Sequence, residues 1–141
     1  MIKLGTNEIQ YIAIFESITG ATAKDCLIDV DNGRITFVVK EGHAGAAIGK
    51  GGTKIKHVRN VVGKNIEVIE YSKIAEKFIS NILMPVVPKN IRIDDSDTKK
   101  VAIITITDKD KGIAIGKNGK NIDKIKTLVK RHYEIDGIKI V

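Results

Sequence analysis

Two octets of this chain are near-copies of each other. Residues 48–55 read Ile-Gly-Lys-Gly-Gly-Thr-Lys-Ile and residues 115–122 read Ile-Gly-Lys-Asn-Gly-Lys-Asn-Ile, which sets Gly49 and Gly116 67 positions apart. The same offset holds beyond the glycines: Gly45 falls on Gly112, Ala47 on Ala114, Val58 on Ile125, Val62 on Val129, and the apolar run Arg34–Val39 on Val101–Ile106. Such a repeat constrains the fold more than local propensity does, because both copies must share one element order. A chain of 141 residues then holds two small units, predicted at 1–70 and 71–141 with a seam near Tyr71. Glu70-Tyr71-Ser72 is not a Gly/Ser-rich or Pro-rich linker, which predicts a short joint and two units packed together.

Each unit reads helix, strand, strand, helix, helix, strand. In the first, Ile9, Ile12, Phe15 and Ile18 recur at helical spacing behind the candidate caps Thr6 and Asn7. Candidate strands Lys24–Val30 and Arg34–Val39 flank Asp31-Asn32-Gly33, a hairpin signal. A short helix over Glu41–Ile48, the glycine turn, a helix with Ile55, Val58 and Val62 on one face, and a strand Asn65–Ile69 complete the unit. The second unit repeats the pattern: helix Ser72–Leu83, strands Ile91–Asp94 and Lys100–Thr107, a short helix, the turn, a helix carrying Ile122, Ile125 and Val129, and strand Ile138–Val141. Met84-Pro85 and Pro88 stop its first helix.

Hydrophobic residues at 43% and charged residues at 29% allow a buried core and exclude a disordered chain. No run approaches the ~18 apolar residues of a membrane span. Tyr11–Phe15 is bracketed by Glu8 and Glu16, as in an amphipathic helix rather than a signal peptide, so a cytoplasmic protein with no membrane partner is expected. The single Cys26 excludes an internal disulfide and a multi-cysteine zinc site, and reads as a small core residue. The absence of Trp and 4% aromatics argue against a binding platform of stacked rings.

Charge is unevenly placed. The 24 Lys and Arg exceed the 17 Asp and Glu, for a formal charge of +7. Lys50–Lys64 holds Lys50, Lys54, Lys56, Arg59 and Lys64 with no acid; Lys117–Arg131 holds Lys117, Lys120, Lys124, Lys126, Lys130 and Arg131 against Asp123 alone. Nine basic against eight acidic residues in the first unit and fifteen against nine in the second predict that the second dominates electrostatic binding. Scattered lysines ordinarily mark a solvated helix face, but both runs adjoin a glycine turn, which favours an anionic polymer as partner.

The turn itself suits that partner. Its glycines admit backbone conformations and close approaches that a side chain would block. The following helix offers unpaired N–H groups and a partial positive charge, and the lysine adds a mobile cation. A plain tight turn accounts for one such copy; two copies, each with lysine after the first glycine, favour phosphodiester binding.

Rival motifs fail. Gly45-x-x-x-Gly49-Lys50 and Gly112-x-x-x-Gly116-Lys117 are one residue short of a nucleoside-triphosphate loop, with Gly51 and Asn118 where its Ser or Thr should stand. His43, His57 and His132 are dispersed, with His57 expected on a basic helix face. Asp94, Asp95 and Asp97 read as a solvated turn. No catalytic constellation, metal site or cofactor is expected.

The two octets, with their Ile-Gly-x-x-Gly-x-x-Ile core, resemble the KH RNA-binding domain, which clamps about four nucleotides of a single strand at such a loop. After Gly119 there is room for a helix and a strand only, so both units resemble the type II form, with a helix and strands ahead of the loop. The implied fold class is α/β (α+β): two tandem type II KH domains, each a three-stranded sheet covered by helices. A tandem of this kind is similar to the archaeal NusA family across essentially the whole chain. That resemblance implies a non-enzymatic binder of single-stranded RNA in transcription elongation and termination, with RNA polymerase or the transcription complex as a further candidate partner. It also implies that Gly49, Lys50, Gly51 and Gly52, and Gly116, Lys117, Asn118 and Gly119, contact the RNA backbone. Ile48, Ile55, Ile115 and Ile122 would line or support the groove, with the charged Lys54 and Lys120 beside it. A ribosome-associated KH protein that binds ribosomal RNA is the alternative. A helix-turn-helix DNA binder is a third reading, less favoured because strands flank the helix pair.

Overall fold

The computed structural model describes residues 4–96 and 98–141. The chain divides into two compact units, Met1–Ser72 and Lys73–Val141. The first comprises α1 (Thr6–Thr19), β1 (Ala23–Asp29), β2 (Arg34–Val39), α2 (Ala44–Ile48), α3 (Thr53–Val62) and β3 (Asn65–Glu70). The second comprises α4 (Ala75–Leu83), β4 (Asn90–Asp94), β5 (Val101–Thr105), α5 (Asp108–Ile115), α6 (Lys120–Tyr133) and β6 (Gly137–Ile140). Each unit forms a three-stranded sheet, in the order β1-β2-β3 or β4-β5-β6. The central strand is antiparallel to the strand before it and parallel to the last. A parallel pair needs a crossover, and the two helices around each glycine turn supply it. This is the mixed α/β, type II arrangement that the resemblance implies.

Local chemistry explains the hairpin of the first unit. The Asp29 carboxylate accepts the Asn32 backbone N–H at 3.3 Å and its side-chain Nδ2 at 2.6 Å. Gly33, at φ +58°, then closes the turn, and Asp29 lies opposite Arg34 in the ladder.

The first core is built on two stacked rings. Phe15 of α1 and Phe37 of β2 lie with centroids 4.1 Å apart and planes 13° from parallel, both fully buried. Ile35, Phe37 and Val39 share one face of β2 because strand side chains alternate, and they meet Cys26, Ala47 and Val58 in the same cluster. Cys26 is thus a core residue, as expected. In the second unit, Phe78, Ile79, Ile82 and Leu83 of α4 are buried, as are Ile125, Leu128 and Val129 of α6 and Ala102 and Ile104 of β5. The Phe78 ring meets His132 edge-on at 5.7 Å and Tyr133 at 5.5 Å.

Several element ends depart from the periodicity. Ile9 is 55% exposed, so the core-facing side of α1 starts with the half-buried Tyr11 and Ile12. The N-cap of α1 is Gly5, with no side-chain cap, rather than Thr6 or Asn7. α2 begins only at Ala44, because Gly42 at φ +88° breaks the backbone and His43 turns its Nδ1 to accept the Thr22 N–H at 2.9 Å. α4 begins at Ala75, not Ser72. β5 ends at Thr105, since Thr107 becomes the N-cap of α5. α4 does end at Leu83, where Met84 takes the extended ψ of 136° favoured before proline. No helix among the described residues is long and apolar enough to cross a membrane.

Phe37→Ala should empty the centre of the first core and cost about 3–5 kcal/mol, read as a lower urea midpoint for that unit. An unchanged midpoint would show that the ring stack does not hold it together.

Candidate nucleic-acid interface

Each glycine loop is one 3-10 turn, Lys50–Gly52 between α2 and α3 and Lys117–Gly119 between α5 and α6. Gly49 sits at φ 76°, ψ 167° and Gly116 at φ 79°, ψ 165°, a region open essentially to glycine alone. Space imposes the same residue. A Cβ on Gly49 would stand 2.5 Å from Lys54 Cγ and 2.9 Å from the Lys54 amide nitrogen; on Gly116 it would stand 2.9 Å from the Asn121 amide nitrogen. The first glycine also ends the preceding helix, its N–H donating to Gly45 O at 2.9 Å or Gly112 O at 3.0 Å. The last glycine closes the turn, with Gly52 N–H on Gly49 O at 3.0 Å and Gly119 N–H on Gly116 O at 3.1 Å. The middle position is left-handed in both loops, Gly51 at φ 66° and Asn118 at φ 57°, and Asn is among the few side-chain residues that adopt it readily.

What the loops present is a cation, bare backbone and aliphatic surface. Lys50 and Lys117 are exposed, and the side-chain ammonium of neither has a hydrogen-bond or ion-pair partner among the described residues. Gly51 and Asn118 are exposed; Gly49, Gly52, Gly116 and Gly119 are half-buried. Ile48 is 41% and Ile115 37% exposed, while Ile55 and Ile122 are half-buried, with their Cγ2 atoms 3.9 and 3.7 Å from where a Cβ on Gly52 or Gly119 would stand. Each loop therefore combines an unpaired ammonium and a helix N-terminus suited to a phosphate with an apolar flank suited to a base or ribose.

The remaining basic residues divide. Lys54 lays its carbon chain over Gly49 and donates from Nζ to Ile18 O at 3.3 Å, at the end of α1. Its repeat partner is Asn121, whose Nδ2 donates to Ile113 O at 3.0 Å and so latches α6 to α5 across the loop. Sequence reasoning passed over Asn121, although the 67-residue offset pairs it with Lys54. Lys120 opens α6 and is half-buried. Lys130 is held at 2.6 Å by Asp136. That hydrogen bond raises the Lys130 pKa and, with the Lys100 backbone N–H, holds Asp136 below the usual carboxylate range. His57 is exposed on α3, as expected. In the acidic turn, Asp97 lies outside the described residues. Asp94 accepts the Ser96 hydroxyl at 2.6 Å and its N–H at 3.0 Å, which lowers its pKa. Among the described residues no group of three or more His, Cys, Asp or Glu could hold a metal ion.

The two kinds of loop glycine should separate by mutation. Gly116→Ala should cost about 2–5 kcal/mol, from backbone strain and contact with Asn121. Gly51→Asn, which copies Asn118 into open space, should stay within about 1 kcal/mol. Urea denaturation of each variant measures this, and equal losses would contradict the geometry.

Residues 9–85 match the KH domain, and residues 75–141 match the NusA-like second KH domain. A Halobacterium salinarum protein named probable transcription termination protein NusA is 40% identical over 139 residues, covering 99% of this chain and 98% of that one. A Methanocaldococcus jannaschii protein of the same name is 37% identical over 140 residues, covering 99% of this chain and 75% of its own. The crystal structure of APE1850 aligns with a TM-score of 0.83 at 39% identity, covering 98% of this chain and all (100%) of the other. With two glycine loops in matching positions and near-full-length likeness to these relatives, the chain belongs to the NusA family and is built of two KH domains in tandem.

Proposed function

We propose that this protein binds single-stranded RNA through both glycine loops and acts, without catalysis, in transcription elongation and termination in the cytoplasm. The observation that carries the reading is the pair of exposed lysines with unpartnered ammonium groups, Lys50 and Lys117, each beside a first glycine where a Cβ would meet backbone at 2.9 Å. KH domains clamp about four nucleotides at such a loop, so two loops in use give a footprint of about eight or somewhat more. Ile48, Ile55, Ile115 and Ile122 flank the bases, and Gly49–Gly52 and Gly116–Gly119 hold the sugar–phosphate chain. Lys120 adds charge at the start of α6, and Lys54 supports its loop while its ammonium stays within reach of the strand. The relatives' names supply the setting, transcription termination, with nascent RNA as ligand and the transcription complex as partner.

Lys50→Asp with Lys117→Asp should weaken binding to single-stranded RNA and flatten its salt dependence by about 0.7 log–log units per lost phosphate contact. Filter binding across a salt series measures both, with the thermal midpoint as folding control. Unchanged affinity in the folded double variant would refute the loop assignment. Stronger competition by duplex DNA than by single-stranded RNA would refute the choice of ligand.

A further inference from the structure

At the end of α3 remote from its glycine loop lies an open cleft of about 550 Å³, lined by Arg59, Lys64, Asn32, Asn60 and Asn65 over two glycines. Arg59, the cleft residue nearest the loop along α3, lies seven residues beyond Gly52, about 10 Å along the helix axis. The cleft exists because α3 stops early. Gly63, at φ +76°, caps the helix by donating to Arg59 O at 2.8 Å. In the second unit the position corresponding to Gly63 is Lys130, and α6 continues through it to Tyr133.

The lining selects an anionic, hydrogen-bonding ligand. Arg59 is exposed and Lys64 half-buried, and no carboxylate among the described residues pairs with either. The Asn60 and Asn65 carboxamides make no hydrogen bond among the described residues, leaving donors and an acceptor on each. The Asn32 side-chain amide donates to the Asp29 carboxylate at 2.6 Å, and Asp31 is exposed in the hairpin turn; neither carboxylate lines the cleft. The floor is open, since a Cβ on Gly33 or Gly63 would meet nothing within 4 Å. Its amides are already used: Gly33 N–H donates to Val30 O, Gly63 N–H to Arg59 O and Asn65 N–H to Gly33 O. Recognition therefore falls to side chains, with cations for a phosphate and carboxamides for the edge of a base.

A cationic ridge joins this cleft to the loop. The Lys56 Cε lies 3.9 Å from where a Cβ on Gly52 would stand. Arg59 and Asn60 follow Lys56 at the i+3 and i+4 positions that adjoin it on a helix surface. The residue corresponding to Lys56 in the second unit is Asp123, an acid. We infer that the Arg59–Lys64 cleft is a second contact site for the RNA strand held at the first loop, taking a phosphodiester and a base beyond the nucleotides clamped there. It belongs to the first unit alone, and it rests on the RNA-binding reading above.

The test uses the full chain, an Arg59→Gln/Lys64→Gln variant, and two single-stranded RNA probes of about four and about twenty nucleotides. The expected result is unchanged affinity for the short probe. The long probe should lose about five- to tenfold in affinity, with a salt slope flatter by about 1.4, two contacts at 0.7 each. Asn60→Ala, at an exposed helix position that accepts alanine, gives a second variant should the double variant fail to fold; it should lose affinity on the long probe only. Unchanged long-probe affinity in a folded variant, or equal losses on both probes, would overturn the inference and leave the loop assignment standing. Failure of the unaltered protein to bind either probe would instead overturn the RNA-binding reading, and this inference with it.

Discussion

The close approach of backbone to backbone at Gly49 and Gly116 is the contact on which the rest of each loop depends. With an amide nitrogen 2.9 Å from the place a Cβ would occupy, the chain can turn from one helix into the next within a single 3-10 turn. The lysine after it, Lys50 or Lys117, stands exposed at the turn. Lys130 and Lys54, by contrast, are tied to Asp136 and to the Ile18 carbonyl. An ammonium kept from internal partners remains available to an external phosphate.

The two units solve the same problem with different side chains. Lys54 braces the first loop against α1, whereas Asn121 braces the second against the helix just before it. Gly51 and Asn118 reach the same left-handed conformation, one by lacking a side chain and the other by tolerating it. The helices that follow also differ in length, α3 with 10 residues and α6 with 14. The extra turn of α6 brings His132 and Tyr133 against Phe78 and adds to the second core. The early stop of α3 opens polar surface instead.

Much of this was legible in the residues. The repeat announced two copies of one element order. Of the apolar positions Ile122, Ile125 and Val129 that the spacing picked out on α6, Ile125 and Val129 are buried and Ile122 is half-buried, while the buried Leu128 was not among them. The strand Arg34–Val39 appears with the limits its pattern suggests. Element ends were less legible, because periodicity does not say where a neighbouring group captures the backbone. His43 left the helix to take the Thr22 amide, and Thr107 left the strand to cap α5. Ile9 fits the apolar stripe by spacing, yet it is exposed because a stripe does not fix how far its cover extends.

The sequence by itself determined the duplication, the glycines that a left-handed or crowded backbone demands, and the basic runs beside them. These follow from local sterics and from counting, which need no partner across the chain. Only the tertiary structure decided which cations stay unpaired, since Lys50 and Lys130 look alike until Asp136 stands 2.6 Å from one of them. It also decided that Asn121 is a latch and that the end of α3 is a cleft. Both arise from elements brought together in space, and pairwise distance between remote residues is not a property that spacing along a chain can carry.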